Sequence, residues 1–135
     1  MTKSEKLLIF PSELENISRV EKMIEEISSS HNLSSEVYGK ISVAIIEAVN
    51  NAILHGNQLD TTKKVKISYN IDEESISFFV GDEGKGFDFA NIPDPTLPEN
   101  IEKTHGRGIF LMNHLADDIE FAENGATVEM KFRFG

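Results

Sequence analysis

The stretch that most constrains this chain is Ile41-Ser-Val-Ala-Ile-Ile-Glu47-Ala-Val-Asn50-Asn51-Ala-Ile-Leu-His55-Gly56-Asn57. Wound at about 100° per residue, it places Ile41, Ala48, Val49 and Ala52 within about 60° of Ile45. That is one wide apolar face. Glu47, Asn50 and Asn51 fall on the other side, but Val43 and Leu54 flank them. The stretch therefore predicts a central helix buried nearly all round. A carboxylate and two amides in such a place are costly unless something satisfies them. Glu47 and Asn51 lie one helical turn apart and share a face. An acid beside an amide oxygen suits a hydrated hard cation and a proton to be removed. The same pair would serve equally as a cap or as a partner to a neighbouring strand, and the helix alone does not separate the two.

The rest of the chain supplies layers for this helix. Leu7-Leu-Ile-Phe10 predicts a short strand ended by Pro11. Ser12-Glu-Leu-Glu15 has the spacing of a capping box, so Ser12 and Glu15 are expected at the start of a helix reaching about residue 30. Ile17, Val20, Ile24 and Ile27 form its apolar stripe. Ser34 or Ser35 caps the central helix, and Gly56-Asn57 ends it with C-cap chemistry. Val65, Ile67, Tyr69 and Ile71 alternate on one face, as do Ile76, Phe78 and Val80, which predicts an antiparallel hairpin. Residues 109–115 resume a helical pattern. Two closing strands, 118–121 and 127–134, flank the hairpin signal Asn124-Gly125. The pattern predicts an α+β chain, an α/β sandwich. It has a mostly antiparallel mixed sheet of about five strands with about three helices on one face, in a single domain over residues 1–135.

Composition removes several functions. There is no cysteine, so disulfides and cysteine-ligated zinc are excluded, and a reducing compartment fits. The apolar run at residues 7–10 is too short for a signal peptide or a membrane span. A cytoplasmic protein without a membrane partner is expected. Lysine and arginine total 13 against 23 acids, a formal charge of −10, which argues against a nucleic-acid partner. Lys63, Lys64 and Lys66 read as a solvated strand edge.

Two glycine-bearing turns carry the remaining chemistry. In Gly81-Asp82-Glu-Gly84-Lys-Gly86, an acid ends a buried strand, where a carboxylate can accept a hydrogen bond from an exocyclic amine. The glycines let backbone approach a ligand closely. A plain turn after a strand would read the same way. Residues 88–104 show no period and hold three of the four prolines, as a lid or an unstructured insertion would. His105-Gly106-Arg107-Gly108 then precedes a helical pattern. Glycines there free the amides of a helix start to meet an anion, to which Arg107 can add charge. A glycine-softened helix entry is the alternative. No P-loop sequence is present.

In this order, Glu47-x-x-Asn50-Asn51-Ala-x-x-His55-Gly56, Asp82-x-Gly84-x-Gly86, Gly106-Arg107-Gly108-Ile-Phe-Leu and Gly125-Ala-Thr127-Val resemble the four boxes of the GHKL ATPases. That superfamily includes gyrase, histidine kinases and heat-shock chaperones. The first strand and helix, Asp94-Pro95-Thr96 and the Gly106-Arg107-Gly108-Ile-Phe-Leu after it resemble most the small, free-standing anti-sigma-factor serine kinases of bacterial partner switching. The resemblance implies ATP or ADP with Mg²⁺ as ligands. It makes Glu47 the general base toward a serine hydroxyl or water, and Asn51 the Mg²⁺ ligand. Asp82 would contact the adenine amino group, with Gly84 and Gly86 lining the base pocket and Thr127 supporting that side. Residues 88–104 would be the ATP lid, and Thr104, Gly106, Arg107 and Gly108 would meet the phosphates. His55 belongs to the first box. Arg19 stands where such kinases contact a protein partner.

The implied partners are an anti-sigma-factor antagonist, carrying the phosphoacceptor serine, and a sigma factor; a homodimer is admitted. Ala126 departs from the pattern, standing where a second threonine is common. Nothing in the chain supplies the phosphoacceptor histidine and dimerisation helices of a sensor kinase. Two functions follow: a serine protein kinase, or a nucleotide-binding module with little catalysis that switches a partner. A general base at Glu47 favours the first.

Overall fold

The structure is a computed structural model describing residues 4–84, 104–122 and 126–134. Strand β1 is Ser4–Pro11, helix α1 is Ile17–His31 and helix α2 is Ser35–Asn51. Strands β2 and β3 are Lys64–Ile71 and Ser75–Gly81. Helix α3 is Thr104–Leu115, and β4 and β5 are Asp118–Ala122 and Thr127–Arg133. The five strands form one sheet in the order β1-β2-β3-β5-β4, each pairing antiparallel. β5 thus lies between β3 and β4, and its start is brought beside the end of β3.

Register explains which face became the core. Phe10 stands opposite Val65, Ile67 opposite Val80, Phe78 opposite Met130, and Ile76 opposite Phe132. All of these are buried, so the period-two pattern turns one sheet face inward. Val20, Met23, Ile24 and Ile27 of α1 cover that face, together with Ile41, Ala44, Ile45, Ala48 and Val49 of α2 and Ile109 and Met112 of α3. Truncating a side chain such as the fully buried Ile45 to alanine would cost about 2–5 kcal/mol. On the outer face, Leu7 and Ile9 are exposed opposite Ser68 and Lys66.

Two local expectations are corrected, and one pair of alternatives is resolved. Helix α2 is not buried all round: Val43 and Leu54 are 45% and 37% exposed, because the sheet and the other helices meet it on one side only. By length and composition its 22-residue helical stretch, Ser35–Gly56, could cross a membrane, but its apolar face packs on the sheet instead. Ser12 is not a helix cap. A 3₁₀ turn, Leu14–Asn16, precedes α1, its cap position is Glu13, and no side chain caps it. The Ser12 hydroxyl instead donates to the Lys63 carbonyl at 2.8 Å, an acceptor brought to it by the connection that leads into β2. Ser34, rather than Ser35, caps α2, accepting from the Val37 amide at 3.2 Å.

Candidate functional site

Helix α2 does not stop cleanly. It widens into a π turn over Ala52–Gly56, and the Asn57 amide reaches the Ala52 carbonyl at 2.8 Å. Such widened turns recur at functional sites. The sequence reads Gly56 as a C-cap glycine, but the reason for glycine here is close approach. A Cβ on Gly56 would stand 2.3 Å from Asp82 Oδ2 and 2.7 Å from Oδ1. A Cβ on Gly84 would stand 2.1 Å from the Gly56 carbonyl oxygen and 2.9 Å from Asp82 Oδ1. The end of the central helix and the turn after β3 therefore meet with no side chain between them except the Asp82 carboxylate.

That carboxylate is held from its own turn. Its Oδ1 accepts the Gly84 amide at 2.7 Å, and the Asp82 amide donates to the Ala126 carbonyl at 2.9 Å. Partial burial pushes the Asp82 carboxyl above the ordinary aspartate range, and the Gly84 amide and Lys63 pull partly back. Thr127 enters from β5: it pairs with Gly81, and a Cβ on Gly81 would stand 3.4 Å from Thr127 Oγ1. Three segments far apart in sequence thus converge on one acidic acceptor, which suits a ligand carrying an amino group.

Glu47 and Asn51 lie half-buried on α2, about two turns and one turn before this junction respectively. The Asn51 Nδ2 is buried without a hydrogen-bond partner among the described residues. A buried amide left unmet is rare, because its desolvation goes uncompensated. An amide offers a donor end and an acceptor end. The unmet donor fits a phosphate oxygen or an ion-bound water, and the acceptor end suits Mg²⁺, so the residue fits the expected cation. No group of three acidic or histidine side chains that would hold a metal by itself occurs among the described residues. His55 is exposed on the π turn.

Helix α3 begins at Thr104, so Gly106, Arg107 and Gly108 lie within its first turns rather than before it. The amides of a first turn have no partner in the helix and remain available to an anion. Helix α3 packs along α2, with Ile109 and Met112 in the shared core. The Arg107 and Thr104 side chains, Gly86 and most of the expected lid over 88–104 lie outside the described residues.

Arg19 is exposed and lines a groove of about 250 Å³ between α1 and β1, with Leu8, Lys22, Met23 and Glu26. This groove is separate from the Asp82 junction. Sequence reasoning missed Asn57. Its side chain is fully buried and bonded to three segments, whereas the local sequence shows it only as part of a helix stop. A polar residue directly after a glycine-ended helix was the only signal.

Residues 10–132 match the histidine kinase-like ATPase domain. The chain is 28% identical to the serine-protein kinase RsbW of Oceanobacillus iheyensis over 116 residues, covering 82% of this chain and 73% of that one. It is 26% identical to the serine-protein kinase RsbW of Bacillus licheniformis over 127 residues, covering 89% and 79%. A crystal structure of RsbU and RsbW domains from Mycobacterium tuberculosis superposes with a TM-score of 0.67 at 13% identity. It covers 96% of this chain, which spans 32% of that longer one, and it supports the fold.

Proposed function

The chain belongs to the histidine kinase-like ATPase domain family, and from that premise we propose that it is an ATP-dependent serine protein kinase of the anti-sigma-factor type. The observation that carries the reading is the junction of Gly56, Asp82 and Gly84, where the Asp82 carboxylate lies against two backbone segments whose close approach only glycine allows. In this reading Asp82 accepts from the adenine amino group, with Gly84, Gly86 and Thr127 around the base and His55 beside it. Asn51 faces the phosphates and holds Mg²⁺, which when bound neutralises phosphate charge. The first-turn amides of α3, with Thr104, Gly106, Arg107 and Gly108, receive the phosphate oxygens. Residues 88–104 close over the nucleotide.

Transfer moves the γ-phosphoryl group of ATP onto the serine oxygen of a bound antagonist protein. The serine proton passes to the Glu47 carboxylate, and ADP leaves. Arg19, on its separate groove, contacts protein partners: the antagonist and a sigma factor. Support comes from the relatives, which are serine-protein kinases, and from an acid one turn before the orphaned Asn51 amide. Incubation with labelled ATP and candidate antagonist proteins tests it. Label on an antagonist serine, lost in Glu47→Ala, is the expected result. Nucleotide binding with no transfer to any antagonist would replace the kinase by a nucleotide-dependent switch module.

A further inference from the structure

Asn57 is a fully buried amide whose hydrogen bonds leave the ligand region and return to it. Its Nδ2 donates to Ser12 Oγ at 2.7 Å and to the Lys64 carbonyl at 3.0 Å. Its Oδ1 accepts the Glu83 amide at 2.8 Å. Both amide hydrogens and the acceptor are thereby used. Ser12 is also fully buried, and its hydroxyl passes the bond on to the Lys63 carbonyl. Glu83 lies between Asp82 and Gly84, and its carboxylate bonds the Lys64 amide, so the turn is gripped through Glu83 on two sides.

A helix stop does not require this. The π turn already closes through the Asn57 backbone. What the side chain adds is a fixed distance between the end of α2 and the turn that carries Asp82. Gly56 and Gly84 tolerate no added atom, so a shift of a few tenths of an ångström there alters the place where a base would sit.

We propose that Asn57 is the positioning residue of the base-recognition turn, and that Ser12, at the junction of β1 with α1, sets Asn57 in turn. The inference rests on the nucleotide reading given above. Asn57 touches no nucleotide in it. The residue acts by holding the Glu83 amide, so that Asp82 presents its carboxylate in one orientation and discriminates an amino-bearing base from an oxo-bearing one. Ser12 is assigned the same effect from a greater distance, through the bond it receives.

The test is calorimetric titration of the parent, Asn57→Ala, Ser12→Ala and the double variant with Mg-ADP and with Mg-GDP. The readout is the ratio of the two dissociation constants. A residue that merely stabilises the fold changes the active fraction and leaves this ratio alone. We expect Asn57→Ala to reduce the preference for ADP by about fivefold, the scale of one lost buried hydrogen bond. Ser12→Ala should reduce it in the same direction by less, and the double variant should match Asn57→Ala, because the hydroxyl acts through the amide. An unchanged ratio in the folded variants overturns the proposal. If Asn57→Ala fails to fold, Ser12→Ala decides alone on the same criterion. A parent that binds neither nucleotide overturns the functional reading, and this inference with it; a parent that binds, with variants equal to it, overturns the inference only.

Discussion

Replacing Asp82 with asparagine keeps the shape of the junction and changes its chemistry. The Gly84 amide can still be accepted by the remaining carbonyl oxygen, so the 2.7 Å bond that shapes the turn survives. The position now held by Oδ2, against Gly56, becomes an amino group. Two donors then face each other where the adenine amine would bind. A hydrogen bond to a charged group is worth about 1.5–3 kcal/mol, which corresponds to a loss in ADP affinity of about ten- to 150-fold. Calorimetry with Mg-ADP measures it directly. Stability should move the other way. Burial raises the Asp82 carboxyl in the folded state, so its favourable contribution is present in acid and is lost as pH rises through the folded value. At pH 7 the parent therefore carries an unfavourably buried charge, and Asp82→Asn should melt no lower than the parent without nucleotide. That difference should shrink as pH falls. Lowering pH should also weaken ADP binding by the parent more than by the variant, as the acceptor is protonated. Unchanged ADP affinity in a folded Asp82→Asn protein would refute the adenine assignment.

Glu47→Ala should leave Mg-ATP binding nearly intact and reduce phosphoryl transfer to an antagonist by about 10²–10⁴-fold in a labelled-ATP assay. Gly84→Ala should destabilise the protein by about 1–3 kcal/mol in denaturant titration and abolish tight ADP binding, because its Cβ would meet the Gly56 carbonyl. Gly39→Ala, in helix α2 with nothing within 4 Å of the added atom, should instead stabilise by about 0.5–1 kcal/mol. Arg19→Ala should weaken binding of a sigma factor or antagonist in a pull-down while leaving ADP affinity unchanged, since its groove is apart from the Asp82 junction.

The fold was legible where periodicity met a single buried face. The alternation of Val65, Ile67 and Ile71 and the stripe of Ile41, Ile45, Ala48 and Val49 name the core residues directly. Local signals failed where a distant partner competed. The Ser12 hydroxyl has helix amides within reach in sequence, but the Lys63 carbonyl, 51 residues away, takes it. Gly56 looks like a helix stop because glycine fits many roles, and only the Asp82 carboxylate against it reveals which one. Helix α3 starts earlier than its glycines suggest, since packing of Ile109 and Met112 against α2 outweighs weak helix propensity in its first turn. At the site, Asp82 and Gly84 were readable as an acceptor beside close backbone. Asn57 was not, because its three bonds join segments that no local pattern links.

The most direct measurement is an amide chemical-shift titration of the labelled protein with Mg-ADP. The amides of Asn51, Gly56, Asp82, Gly84 and Thr127 and those of the first turn of α3 should shift together with one affinity. Those lining the outer groove of Asp118, Glu120 and Glu129 should stay still. Shifts confined to that groove, or none at saturating nucleotide, would contradict a nucleotide site at the meeting of α2, β3 and β5.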